Sequence, residues 1–153
     1  MDTPDKNIEK LGIVLPAPPR PIGSYVTSVR SGNLLFLSGM LPLVDGKLLR
    51  TGRVGKEISP EDAKEDARRA AINAISVLKE SLGDLSRVKR CVKIVGYVAS
   101  SKHFTGQPGV LNGASDLMVE VFGEAGRHVR VAVGVSVLPM GSPVEVEFIF
   151  EVD

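Results

Sequence analysis

Tryptophan is absent from this sequence of 153 residues, and cysteine occurs once. A single cysteine, Cys91, cannot form an intrachain disulfide, which fits a reducing compartment and predicts a cytoplasmic protein. Two tyrosines and five phenylalanines supply few rings for stacking nucleic-acid bases, and a net charge of +1 gives no strong field. The charged N-terminus is not expected to be a signal peptide, and no apolar run reaches membrane-spanning length. We therefore expect neither nucleic acid nor a membrane as a partner.

Recognisable metal and cofactor motifs are also missing. His103 and His128 have no Cys, Asp or Glu at the spacing of metal ligands. The sequence contains no GxSxG, Walker or GxGxxG motif, so we expect no metal and no cofactor. Cys91 lies in a predicted strand, where a buried apolar role is favoured over a nucleophile.

The chain divides into a proline-rich N-terminal arm, residues 1–22, and one domain, residues 23–153. The arm begins with a short segment that can form a helix, and its four prolines between positions 16 and 21 exclude helix thereafter. Alternation and turn residues predict strands followed by a helix that starts at Ser59-Pro60 and stops at Gly83. The predicted elements are strands at 25–29, 33–40, 46–49 and 88–99, helices at 60–82 and 110–122, and two terminal strands. This order predicts an α+β fold, a mixed β-sheet with two helices on one face.

Residues 130–153 are predicted to form the terminal β-hairpin, because they alternate strictly around the breaker run at 139–143. A turn at Met140-Gly141 would place Arg130 near Glu151 and leave Arg130 and Glu145 about 20 Å apart on one face. The small residues of that face would then have no helix to cover them, so we expect it to be buried by other copies of the chain. These residues are Ala132, Gly134 and Ser136.

Two charged residues of this hairpin have alternative interpretations. Arg130 stands in a small, apolar stretch and requires an anionic partner. That partner is either Glu151, in a structural ion pair, or the carboxylate of a ligand held by the guanidinium fork. For Glu145, the pattern favours an exposed hairpin residue over a functional one.

Several motifs together resemble the RidA/YjgF family of reactive-intermediate (enamine/imine) deaminases, formerly called endoribonuclease L-PSP. The C-terminal run RVAVGVSVLP at 130–139, followed by VEVE at 144–147, is the most specific of them. The others are IGSY at 22–25, LFLSGMLP at 35–42 and the segment 104–112. The resemblance spans residues 20 to 152.

The resemblance implies a fold similar to the trimeric chorismate mutases, with a homotrimer whose ligand clefts lie between subunits. Arg130 would hold the carboxylate of a small-molecule ligand, and Glu145 would position or activate water as the catalytic residue. Tyr25, the backbone of Ser38 and Gly39, and Asn112 would line the cleft. Ala132 would also lie at the ligand, where many members carry cysteine.

The same resemblance implies an activity, the hydrolysis of small 2-imino or enamino acids to 2-keto acids and ammonia. Positioned water and general acid–base help suffice for this reaction without a cofactor. One alternative is a binding module that holds a keto acid or similar metabolite in the same cleft without turnover. The other is a ribonuclease, which the near-neutral charge, sparse aromatics and lack of a catalytic histidine pair argue against.

Overall fold

The computed structural model describes residues 2–153, which fold into one five-stranded mixed sheet covered on one face by two long helices. The strands of the sheet lie in the order β1-β2-β7-β5-β6, and only β5 and β6 are parallel. A separate two-stranded ribbon joins β3 to β4. This arrangement confirms the predicted α+β class with two helices on one face. The elements are α1 Pro4–Lys10, β1 Ser28–Ser31, β2 Leu34–Leu37, β3 Leu43–Val44, β4 Lys47–Leu48, α2 Pro60–Leu82, β5 Val88–Ala99, α3 Gln107–Phe122, β6 Val129–Val135 and β7 Val144–Val152.

Helix α2 begins and ends as its sequence predicts. The Ser59 hydroxyl accepts a hydrogen bond from the backbone N–H of Asp62 at 3.1 Å, and Gly83 ends the helix in a left-handed conformation. Its alanine stripe is fully buried and lets α3 approach closely. A Cβ at Gly113 of α3 would overlap the backbone carbonyl of Lys64 on α2, so only glycine fits this crossing.

The predicted terminal hairpin is wrong, because β5 lies between β6 and β7. Strand β6 pairs with β5 in parallel, with Arg130 beside Ile94, and β7 pairs with β5 in antiparallel fashion, with Glu145 beside Tyr97. Helix α3 makes the crossover from β5 to β6, as parallel neighbours require. Period-2 alternation correctly identified both strands, but it carries no information on which strand is the neighbour.

The uncovered face of the sheet is consequently the valine face of β6, and the prediction that Ala132, Gly134 and Ser136 form it is wrong. Ala132 packs against the hydrophobic core on the helix side. On the opposite face, Val129, Val131 and Val133 are 65%, 45% and 39% exposed. Phe36 of β2 adds a further exposed apolar side chain to this open face. Exposed apolar side chains on an open sheet face are typical of an interface between proteins.

The N-terminal half of the chain follows its predicted order with shorter strands. Strands β1 and β2 form the first hairpin, and β4 is the predicted third strand, although it belongs to the separate ribbon. Helix α1 fits the helical segment expected at the N-terminus, and its Asn7 side chain donates to the carbonyl of Val121 at 2.9 Å. The domain boundary at residue 22 stays a prediction. None of the helices in the described part of the chain has the length and apolar character that a bilayer crossing needs.

A buried carboxyl on α2 makes stability depend on pH. Asp66 is 2% exposed, and burial raises its pKa to about 6, although Arg50 Nε lies 3.2 Å away and opposes the rise. A folded-state pKa above the ordinary value favours the protonated form. Its contribution to stability is therefore present at low pH and is lost as pH rises through about 6.

We expect the free energy of unfolding to fall by up to about 3 kcal/mol between pH 4 and pH 7 because of Asp66. In D66N this component should vanish, so the difference in stability between the two proteins should grow in favour of D66N as the pH rises. Urea denaturation at a series of pH values measures both curves. Parallel curves for the two proteins would contradict the assignment to Asp66.

Candidate functional site

Four of the predicted site residues line one pocket beside the start of β7: Tyr25, Ser38, Gly39 and Glu145. The pocket is roofed by the proline-rich segment around Pro19 and has a cavity volume of about 40 Å³. A cavity needs about 10–15 Å³ on this scale to hold one water molecule, so this one has room for water. The pocket can therefore hold water at the Glu145 carboxylate, and a larger ligand must approach from its open side.

The close contact between Gly39 and Glu145 follows from backbone pairing. The N–H of Met40 donates to the carbonyl of Val146 at 2.7 Å, and the N–H of Val146 donates back at 3.0 Å. This pairing places Gly39 directly against the Glu145 side chain, and a Cβ at Gly39 would overlap that carboxylate. The absence of a side chain is therefore what lets Glu145 occupy the pocket.

The pKa of Glu145 is raised, first by burial and second by the nearby carboxylate of Glu147. Glu147 lies two residues further along β7 on the same face, where the hydroxyl of Tyr97 donates to its Oε1 at 3.4 Å. The pKa of Tyr97 is raised in turn, by burial and by the same carboxylate. A carboxylate whose pKa is raised holds a proton more readily, which suits a group that exchanges protons with water.

Arg130 lies outside this pocket, at the edge of β6 against α3. Its Nη1 donates to Asn112 Oδ1 at 2.8 Å and to Ser115 Oγ at 3.1 Å, and its Nη2 donates to the carbonyl of Pro108 at 3.2 Å. Of the two alternatives for Arg130, the ion pair with Glu151 is excluded, since Glu151 pairs with Arg90 at 3.0 Å. Every acceptor around Arg130 in residues 2–153 is neutral, so its charge is not compensated there.

Asn112 and Ala132 accompany Arg130 rather than Glu145. Asn112 is bonded to the guanidinium, and Ala132 is two residues along β6 on the same face. Arg130 and Glu145 are separated by three residues along β5 and by two strand spacings, about 10 Å in each direction. They also lie on opposite faces of the sheet. The predicted distance of about 20 Å was too long, but one chain still does not bring the two residues together.

Two residues beside Arg130 were missed by the sequence interpretation. Ser115 Oγ lies 2.8 Å from His128 Nε2, and His128 Nδ1 lies 2.7 Å from the carbonyl of Gly126. The available signals were the spacing of Ser115 three residues after Asn112 on a helix, and the position of His128 two residues before Arg130, directly ahead of a strand. Each signal is weak alone, because polar residues at such spacings are common on protein surfaces.

The remaining titratable candidates do not add to the site. Cys91 is buried in β5, and burial raises the pKa of its thiol to about 12, which confirms the apolar interpretation. No group of three or more His, Cys, Asp or Glu side chains within residues 2–153 is arranged to hold a metal ion.

Comparison with known proteins places this geometry in a family. The model of the family described as "YjgF/chorismate mutase-like, putative endoribonuclease" matches residues 6–152. Protein TCP17 of Trypanosoma cruzi is 46% identical over 148 residues, which cover 96% of this chain and 92% of that protein. A 2-iminobutanoate/2-iminopropanoate deaminase of Dermatophagoides farinae is 30% identical over 141 residues, which cover 92% of this chain and 95% of that protein.

The fold is equally well matched by a solved structure. A protein of unknown function from Agrobacterium tumefaciens superimposes with a TM-score of 0.92 at 41% identity, covering 98% of this chain and 92% of that one. The agreement extends over the whole sheet and both covering helices. The chain belongs to the RidA/YjgF family, with its YjgF/chorismate mutase-like fold.

Proposed function

We propose that this protein hydrolyses small 2-imino or enamino acids to 2-keto acids and ammonia, in clefts formed between the subunits of a homotrimer. The observation that carries the proposal is the half-buried Glu145 carboxylate facing a cavity with room for water. The name of the mite relative, 2-iminobutanoate/2-iminopropanoate deaminase, supports the substrate class. The uncompensated cation of Arg130 supplies the complementary group for a substrate carboxylate.

The chemistry requires only water and a proton carrier. The imine nitrogen enters protonated, as an iminium, and Glu145 takes a proton from water as the water oxygen attacks the imine carbon to give a carbinolamine. Glu145 then gives this proton to the amine nitrogen, and the C–N bond breaks with its electron pair on the departing ammonia. As the keto group forms, the hydroxyl passes its proton to Glu145, which releases it to the ammonia as ammonium. The C=N bond is already electrophilic, so general acid–base help of about 10²- to 10⁴-fold is sufficient.

Two features of the single chain support the trimer. The open valine face of β6 exposes apolar side chains that a closed ring of copies would bury. Arg130 and Glu145 lie on opposite faces of the sheet, so one small substrate can touch both only if they come from different chains. Tyr25, Ser38 and Gly39 would then line the cleft from the Glu145 side, and Asn112 and Ala132 from the Arg130 side.

The raised pKa of Glu145 predicts how activity depends on pH. The carboxylate must be ionised to accept a proton from water, so ammonia release should fall on acidification at a pH above the ordinary range of glutamate. In E147Q the second cause of the rise is removed, and the fall should move to lower pH. The pH profile of the initial rate, together with a ¹³C titration of the Glu145 carboxyl, measures the shift. An unmoved profile in E147Q would contradict this account.

The activity itself is tested by ammonia release from imines generated in situ by an amino acid oxidase acting on several small amino acids. We expect release faster than the spontaneous rate in the same mixture, and no acceleration by G39A, whose new methyl would displace Glu145. G109A serves as the matched control, because a Cβ at Gly109 meets nothing within 4 Å. No acceleration by the native protein on any imine would refute the deaminase.

A non-catalytic binding module is the second candidate, and the neutral surroundings of Arg130 favour it equally, since a carboxylate can be retained there without turnover. Calorimetric titration with 2-oxobutyrate distinguishes the two functions. Tight binding of the keto acid without accelerated ammonia release indicates the module, whereas accelerated release with weaker product binding indicates the enzyme.

A further inference from the structure

The hydrogen bonds around Arg130 occupy some of the N–H groups of its guanidinium and leave the others free in the described part of the chain. A guanidinium carries five N–H groups, and Asn112, Ser115 and Pro108 accept three of them. The Nε–H and one hydrogen on Nη2 have no acceptor within residues 2–153. Two N–H groups are what a carboxylate needs for a two-pronged contact. The neutral acceptors therefore fix the guanidinium while its charge and two donors remain for a ligand.

His128 determines the direction of the hydrogen bond that it forms with Ser115. The carbonyl of Gly126 can only accept, so His128 Nδ1, 2.7 Å away, carries the hydrogen. In the neutral ring Nε2 is then an acceptor, and the hydroxyl of Ser115 donates to it at 2.8 Å. Because the hydrogen of its hydroxyl points to His128, the Ser115 oxygen accepts a hydrogen bond from Arg130 Nη1. The result is one directed chain from Arg130 through Ser115 and His128 to Gly126.

The carbonyl of Gly126, the last group in this series of hydrogen bonds, is held rigidly. Gly126 is buried, and a Cβ there would overlap the carbonyl of Met118 on α3. Its carbonyl is thus fixed against the same helix that carries Asn112 and Ser115, which lie three residues apart on one face. His128 directly precedes β6. The chain of hydrogen bonds consequently joins the helix to the strand at the position of Arg130.

We infer that Ser115 and His128 are positioning residues that act through Arg130, fixing the plane of its guanidinium so that Nε–H and Nη2–H are presented to a ligand carboxylate. His128 does not touch the ligand in this arrangement, and its effect passes entirely through Ser115. The inference rests on the proposed function, since it assigns a carboxylate ligand to Arg130. It extends that function by naming what orients the binding group.

The test is a double-mutant cycle on the affinity for 2-oxobutyrate, measured by isothermal titration calorimetry on the full chain. We expect S115A and H128F each to weaken binding roughly 5- to 10-fold, as for the loss of one neutral hydrogen bond. The double variant S115A/H128F should bind no more than about 2-fold more weakly than either single one, because both substitutions remove the Ser115–His128 hydrogen bond and His128 acts only through Ser115. S115T keeps the hydroxyl and should retain binding. The matched control H103F alters the other histidine and should also bind as the native protein does.

A second readout needs no ligand. The ¹⁵N chemical shifts of the His128 ring should report the Nδ1–H tautomer in the native protein. An Nε2–H tautomer, an unchanged affinity in H128F, or losses that multiply in the double variant would each overturn the inference. If the losses of affinity multiply but the protein still releases ammonia, the inference on Ser115 and His128 is refuted and the proposed deaminase activity stands. A non-additive cycle without ammonia release would refute the deaminase alone. No binding of 2-oxobutyrate by the native chain would overturn the inference, and no ammonia release from any imine in addition would refute the deaminase as well.

Discussion

Replacing Arg130 with alanine is expected to weaken carboxylate binding by about 2–5 kcal/mol, or about 30-fold to a few thousand-fold in Kd. The size follows from removing the cation and leaving Asn112, Ser115 and Pro108 without their donor. R130K should bind nearly as poorly as R130A, because an ammonium is a point charge that cannot span these acceptors and a carboxylate together. Titration calorimetry with 2-oxobutyrate measures all three proteins.

The matched control for this prediction is R90A. Arg90 is also a strand arginine, but it pairs with Glu151 on the surface, and its loss should leave ligand affinity unchanged. A lysine at position 130 that binds as tightly as arginine would contradict the two-pronged contact. Equal weakening by R90A and R130A would indicate a general effect of charge instead.

Replacing Glu145 with glutamine is expected to lower kcat for imine hydrolysis by about 10²- to 10⁴-fold while 2-oxobutyrate affinity changes little. The amide has the shape of the carboxyl but cannot take a proton from water. E147Q is the matched control, since Glu147 lies on the same face and its loss should leave kcat at neutral pH nearly unchanged. Ammonia release that persists unchanged in E145Q would exclude Glu145 as the base.

The elements of this fold were predictable from local patterns where the pattern itself determines the structure. Ser59, Pro60 and Gly83 act within one helical turn of their own positions, so α2 begins and ends where they indicate. The bounds of β5, Val88–Ala99, are those predicted, although register shifts between Val88 and Lys93 interrupt its alternation. Interactions within a few residues are readable because the chain connectivity itself brings the partners together.

The pairing of strands was not predictable in the same way. Alternation gives a strand its two faces, but the neighbour of β6 is decided by where α3 returns the chain. The insertion of β5 between β6 and β7 turned the valine face of β6 outward and put Arg130 against α3. An error in one neighbour thus changed which face is open, although both terminal strands were correctly located.

The candidate site also has a part that the sequence predicted and a part that it did not. The resemblance to the family named Tyr25, Ser38, Gly39 and Glu145, and the structure places these four at one pocket. Ser115 and His128 were missed, because they meet only through the packing of a helix on a strand distant in sequence. Contacts of that kind depend on tertiary geometry that no local spacing contains.

In the proposed shared site, Arg130 of one chain and Glu145 of another contact one substrate, and mixing two inactive variants tests this arrangement. R130A and E145Q proteins should each be inactive when assembled alone. After they are unfolded and refolded together in equal amounts, about a quarter of the sites should contain both native residues, because each residue is drawn independently with even odds. Recovery of about a quarter of the native rate of ammonia release is the predicted result. No recovery in oligomers shown by native mass spectrometry to contain both variants would contradict the shared site.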